Sequence, residues 1–165
     1  MLQISRDEYA SEKERTNSLD NKANIFMSAI IAVITIFIPI IPFSKIPEIY
    51  ISSSKIQIVI ATLILSILTS AIGLLIKAFS LLYSSFQLKN YACINIENLN
   101  DDYILRQDIN ISEKGLIEHY NSILKTNIEI NNEKAKKIVI GLKYSAISFA
   151  LLCASSIGLI VLIGG

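Results

Sequence analysis

The sequence predicts an all-α membrane protein in which three transmembrane helices carry a cytoplasmic helical stalk. Three observations lead there. Of 165 residues, 52% are hydrophobic and 18% charged, and the mean hydropathy of +0.52 is higher than a soluble domain of this length sustains. Three uncharged stretches are each long enough to cross a hydrocarbon core of ~30 Å at ~1.5 Å rise per helical residue. The remaining charges collect in two segments, one of which carries apolar residues at helical spacing.

Residues 1–22 predict a cytoplasmic N-terminal helix. Ser5-Arg6-Asp7-Glu8 matches a capping box, in which the serine and a glutamate three residues on satisfy the free amides of a helix start. Tyr9, Ala10 and Leu19 are its main apolar residues, so its stability is expected to come from running, without Gly or Pro, straight into transmembrane helix 1 over 23–44. Pro39 and Pro42 fall in the last turn of that helix or beyond, where loss of a backbone donor does least harm. Its length and the absence of a small-x-small cleavage site argue against a signal peptide. An external hairpin over 45–55 leads to transmembrane helix 2 over 56–83, with Ile56 to Ile76 uncharged.

Residues 84–137 read as a cytoplasmic loop and an amphipathic helix. The Asn- and Asp-rich stretch 93–111 predicts turns, with a short helix near Asp102 to Gln107. Ser112 is expected to cap a long helix whose Leu116, Ile117, Tyr120, Ile123, Leu124, Ile128 and Ala135 share a face. Transmembrane helix 3, over 138–165, continues it. Lys and Arg are frequent in 1–22 and 84–137, whereas the hairpin has only Lys45 and Lys55. Positive flanks stay in the cytoplasm, which puts the N-terminus inside and the C-terminus outside a multi-pass cell membrane protein.

Lys plus Arg number 15 and Asp plus Glu 14, a balance that excludes a basic surface for a nucleic acid polymer. Cys93 and Cys153 read as reduced thiols. The chain lacks a catalytic constellation. His119 is the single histidine, so neither a paired-histidine metal site nor a zinc protease motif can be built, and there is no phosphate-cradling glycine loop. No enzyme activity, cofactor or metal is expected.

Lys77 and Lys143 border the second and third apolar runs; they either snorkel to the headgroups or line an anion path. Small residues at four-residue spacing, Thr62, Ser66 and Ser70 with Thr69 and Gly73, and Ala150, Ala154 and Gly158, serve either internal packing or assembly of a homo-oligomer in the lipid bilayer. Asp20 and Lys22 lie at the last turn before the first membrane segment. A carboxylate there needs a partner, and Lys136 and Lys137 at the start of the third segment lie at a matching depth. The group reads as an interfacial ion pair or as a latch.

Two patterns then suggest a family. One is a charged helix ending in Asp20-Asn21-Lys22-Ala23 directly before a membrane helix, with a second close behind. The other is a Tyr- and Ile-rich cytoplasmic stretch ending in Asn131-Asn132-Glu133-Lys134-Ala135-Lys136-Lys137-Ile138. Together they resemble the membrane effectors of Pycsar-type antiphage defence and related small cyclase-associated effectors. The resemblance implies a protein that answers a cyclic nucleotide made by a neighbouring cyclase and then impairs the inner membrane before phage matures. It implies that a nucleotide would meet Arg106, Lys114 and Lys125 through its phosphate and stack on Tyr103 or Tyr120. The chain has no room for a separate cyclic-nucleotide-binding domain. The alternative is a non-enzymatic accessory or scaffold subunit whose cytoplasmic helices dock a soluble partner.

Overall fold

The computed structural model describes residues 2–52, 54–88 and 109–164. Among these there are four α-helices, one short 3-10 turn and no strand. Helix α1 spans Leu2–Ile40, the 3-10 turn Phe43–Lys45, α2 Ile46–Ser52, α3 Lys55–Phe86 and α4 Ile109–Gly164. Helices α1, α3 and α4 each contain a stretch long and apolar enough to cross a membrane, and the protein is a multi-pass membrane protein.

Two local expectations need correction. Helix α1 begins at Leu2, so Ser5 lies inside it and is buried rather than standing at its cap. Helix α4 begins at Ile109, which puts Ser112 in its first turn. The hairpin over 45–55 is itself mostly helical, because Pro47 sits in the first turn of α2, where its missing N–H costs nothing. The cap that does form is at α3: Ser54 N–H donates to Gln57 Oε1 at 2.9 Å and Gln57 N–H to Ser54 Oγ at 3.4 Å, a reciprocal capping box. The short helix expected near Asp102 to Gln107, and Cys93, lie outside the described residues.

The chain divides into two compact units. One combines Met1–Lys22 with Ser85–Lys136, the other Ala23–Ser84 with Lys137–Gly165. In the second unit the inward residues of α3 are Ala61, Ile64, Leu68, Ala71, Leu75, Ala78 and Leu82, at alternating three- and four-residue steps. Those of α4 are Ile138, Gly141, Ser145, Ser148, Leu152, Ser155 and Leu159, at the same steps. Ala23, Phe26, Ile30, Val33 and Phe37 continue the pattern on α1. This is the 3.5-residue repeat of left-handed helix packing.

Small residues set the spacing. A Cβ at Gly141 would lie 3.1 Å from Leu82 Cγ and 3.3 Å from the Ala78 carbonyl, and one at Gly158 3.1 Å from Ile64 Cδ1. Ser148 Oγ donates to the Ala71 carbonyl at 2.6 Å, and the Phe37 and Phe149 rings meet edge to face at 5.7 Å. Helices α1 and α4 run parallel here, with α3 antiparallel to both.

The outward side of this unit is apolar. Ile25, Ile31, Ile36, Val59, Leu63, Ile76, Ile147, Ile157 and Val161 are exposed, and only 11% of the apolar window of α1 is buried. In water such a surface would aggregate; in hydrocarbon it is the solvated face.

Candidate functional site

The first unit has the same three-four spacing but different chemistry. Its inward residues on α1 are Ser5, Tyr9, Glu12, Thr16 and Leu19, and on α4 Leu124, Asn127, Asn131 and Lys134, with Ser85 from α3. Asn127 and Asn131 are fully buried and Lys134 is 5% exposed. Positions that usually hold leucine therefore hold amides and a cation. Each such group must find a partner inside, since a buried polar atom without one costs about 1–3 kcal/mol.

Asn131 is the centre of the arrangement. Its Nδ2 donates to the Glu12 carbonyl at 3.0 Å and to Glu12 Oε2 at 2.7 Å, while its Oδ1 accepts from Thr16 Oγ1 at 2.9 Å. The Thr16 hydroxyl is also 3.0 Å from the Glu12 carbonyl, so its one hydrogen is shared between two acceptors. Arg15 extends the network outward. Its Nη1 lies 3.2 Å from Glu12 Oε1, and its Nη2 donates to Asn132 Oδ1 at 2.8 Å. Tyr9 and Tyr120 meet edge to face at 5.9 Å.

One turn further along, Lys134 Nζ donates to both carboxylate oxygens of Asp20, at 2.8 and 3.1 Å. The lysine side chain is 6% exposed and the aspartate 33%. The carboxylate is thus paired with Lys134 rather than with the expected Lys136 or Lys137. Lys136 is exposed and Lys137 half-buried. Matching depth was the wrong criterion: the helix face decides the partner, and Lys134 shares the face of Asn127, Asn131 and Ile138.

The other expected site residues are not gathered. Lys22, Lys114 and Lys125 are exposed, and Tyr120 is half-buried against Tyr9. Arg106 and Tyr103 lie outside the described residues. Among the described residues no cluster of histidine, cysteine or carboxylate side chains could hold a metal ion. The Glu12–Asn131 network was missed because hydrophobic periodicity cannot register a polar seam; the signal that could have found it is the three-four spacing of Asn127, Asn131 and Lys134.

In the second unit, Lys77 places its ammonium 4.8 Å from the centre of the Tyr144 ring, within cation–π range. Lys143 is exposed. Of the small residues on α3, Thr62, Ser66, Thr69, Ser70 and Gly73 are all exposed, and nothing lies within 4 Å of a Cβ at Gly73. Of those on α4, Gly158 packs on Ile64, while Ala150 and Ala154 face outward. An apolar groove of about 210 Å³ runs between Phe26, Ile30 and Val33 of α1 and Ala146 and Phe149 of α4. No family model matches the chain, and no match was found among curated proteins or solved structures.

Proposed function

We propose that the chain is a non-enzymatic membrane effector of bacterial antiphage defence. In this reading a cyclic nucleotide or a protein partner is sensed in the cytoplasm, and the response is loss of inner-membrane integrity. The N-terminus is cytoplasmic, as the Lys and Arg distribution favours, and the protein works as a homo-oligomer.

The observation that carries the reading is the polar network of Glu12, Thr16 and Asn131 with the Asp20–Lys134 pair. Buried amides and ion pairs add little net stability but fix one helix register against others. Helices α1 and α4 both carry such residues and both run on, unbroken, into apolar stretches. A ligand that prefers one register of the polar seam therefore acts on the same two helices that meet lipid. Lys114, Lys125 and Tyr120 are the described residues offered for phosphate and base.

Two measurements test it. Dye release from liposomes holding the purified protein should rise on addition of a cognate cyclic nucleotide, and Asp20→Ala should change the release at matched protein levels. Identical leakage from wild type and variant, with or without nucleotide, would overturn the reading in favour of an accessory subunit. A periplasmically active phosphatase fused after Ser112 should be silent; activity there would reverse the orientation.

A further inference from the structure

We propose that the first membrane segment crosses only part of the bilayer as helix, and that the break after it is filled by lipid headgroups and their water in the leaflet at the Lys55 end. This goes beyond the effector reading and does not depend on it.

The levels of the three apolar runs carry the inference. Within the second unit, Ser148 meets Ala71, Gly158 meets Ile64 and Lys77 lies over Tyr144. The uncharged run of α3, Ile56 to Ile76, therefore lies alongside that of α4, which starts at Tyr144. Each covers about 32 Å, the thickness of a hydrocarbon core. Two helices with coincident runs and lysines at the same end define the slab.

Helix α1 is displaced from it. Ile30 and Val33 share a groove with Leu75 and Ser145, and Phe37 meets Phe149. Ser145 and Leu75 lie one residue inside the slab and Phe149 five residues beyond Tyr144, so Ile40, ten residues past Ile30 and three past Phe37, reaches roughly 12–17 Å, about halfway, into a slab of about 32 Å. There α1 stops.

The stop is encoded. All three prolines of the chain, Pro39, Pro42 and Pro47, fall within nine residues at this point. Proline removes a backbone donor and clashes with the turn before it. The next residues are polar backbone outside any α-helix: Phe43 N–H reaches the Ile41 carbonyl at 2.8 Å, and Lys45 N–H the Pro42 carbonyl at 3.1 Å. Lys45 and Glu48 are exposed. Helix α2 then lies beside the far half of α3, with the Tyr50 and Thr62 hydroxyls 3.1 Å apart.

Hydrocarbon cannot solvate broken backbone or an ammonium; such elements persist at membrane depth only where water or protein meets them. Here the break faces outward. Phosphates of that leaflet, drawn down to Lys45, supply the missing partners and thin the bilayer locally.

Cysteine accessibility tests this. In a background of Cys93→Ser and Cys153→Ala, the full chain in phosphatidylcholine vesicles is exposed on both faces to a membrane-impermeant maleimide. Phe43→Cys and the milder Ser44→Cys should label as completely as Lys55→Cys. Leu63→Cys and Ile67→Cys, on the exposed side of α3 at similar depth, should stay unlabelled. Protection of both Phe43→Cys and Ser44→Cys would mean that the break is sealed in hydrocarbon or protein. Labelling of Leu63→Cys alongside them would mean that α1, not α3 and α4, sets the slab. Either result overturns the proposal.

Discussion

The two units use one spacing and opposite chemistry. Along α4 the inward positions step from Leu124 through Asn127, Asn131 and Lys134 to Ile138, Gly141, Ser148 and Leu159 without losing the three-four alternation. In the first unit these positions hold amides and a cation, each with directional partners. In the second they hold small or apolar residues with shape as their main constraint. Helix association is thus specified differently in two solvents. Lipid offers no hydrophobic drive, so close approach at Gly141 and Gly158 must supply the attraction. In the first unit a leucine seam would associate more strongly but in several registers; buried amides trade strength for a single register.

The largest expected effect attacks the first unit. Asp20→Ala leaves Lys134, almost wholly buried, without its carboxylate. Because the aspartate is one-third exposed, the loss should be about 1–3 kcal/mol rather than that of a sealed pair. The double change Asp20→Leu with Lys134→Met should recover most of it. Resistance to protease across a denaturant series measures both, and a double variant no better than the single would show that the pair is not the source.

The second unit should answer to volume instead. Gly141→Leu drives atoms into Leu82 and the Ala78 carbonyl, and backbone cannot yield as a flexible side chain can. A cost of about 1–3 kcal/mol is expected. Gly73→Leu, with open space around it, should be neutral or stabilising. Equal losses at both glycines in the same protease assay would contradict the assigned packing.

A smaller pair of changes should differ in sign. Ser148→Ala removes the bond to the Ala71 carbonyl and should cost about 0.6 kcal/mol, the mean for such bonds in membranes. Ser156 Oγ is buried with no hydrogen-bond partner among the described residues. Removing it with Ser156→Ala should cost nothing or stabilise slightly, since an unpaired buried hydroxyl is a net penalty. Steric trapping in bicelles has the resolution to separate them, and a matching loss at both would mean that Ser156 has a partner.

Asn131→Leu should change stability least and specificity most. Its loss frees the register set with Glu12 and Thr16. Disulfide trapping should then capture Thr16→Cys with Tyr120→Cys, one heptad out of step, as readily as Tyr9→Cys with Tyr120→Cys. If only the native pair forms, the amide does not hold the register.

The three membrane helices were legible because uncharged runs are long and unambiguous. The stalk was legible only in part. Leu116, Ile123 and Leu124 give an apolar stripe, but Ser5 reads as a cap, and nothing marks Glu12, Thr16, Asn127 and Asn131 as inward, since periodicity weighs apolarity and these residues have none. The Asp20 carboxylate needs a partner on sequence grounds alone; depth points to Lys136 and Lys137, whereas helix face points to Lys134. Helix α2 went unseen because 45–55 reads only as a connection between two membrane segments, although Pro47 is well placed to start a helix.

The hydroxyls on the exposed side of α3 bear on how that helix enters a membrane at all. Thr69 and Ser70 each return their hydrogen to the carbonyl one turn back, at Leu65 and Ser66. A hydroxyl whose only hydrogen is committed to its own backbone presents lipid with a lone pair and a methyl or methylene. To the insertion machinery such residues weigh closer to valine and alanine than a hydropathy scale assigns. Helix α3 can thus carry these hydroxyls on its lipid side and still partition as an apolar rod.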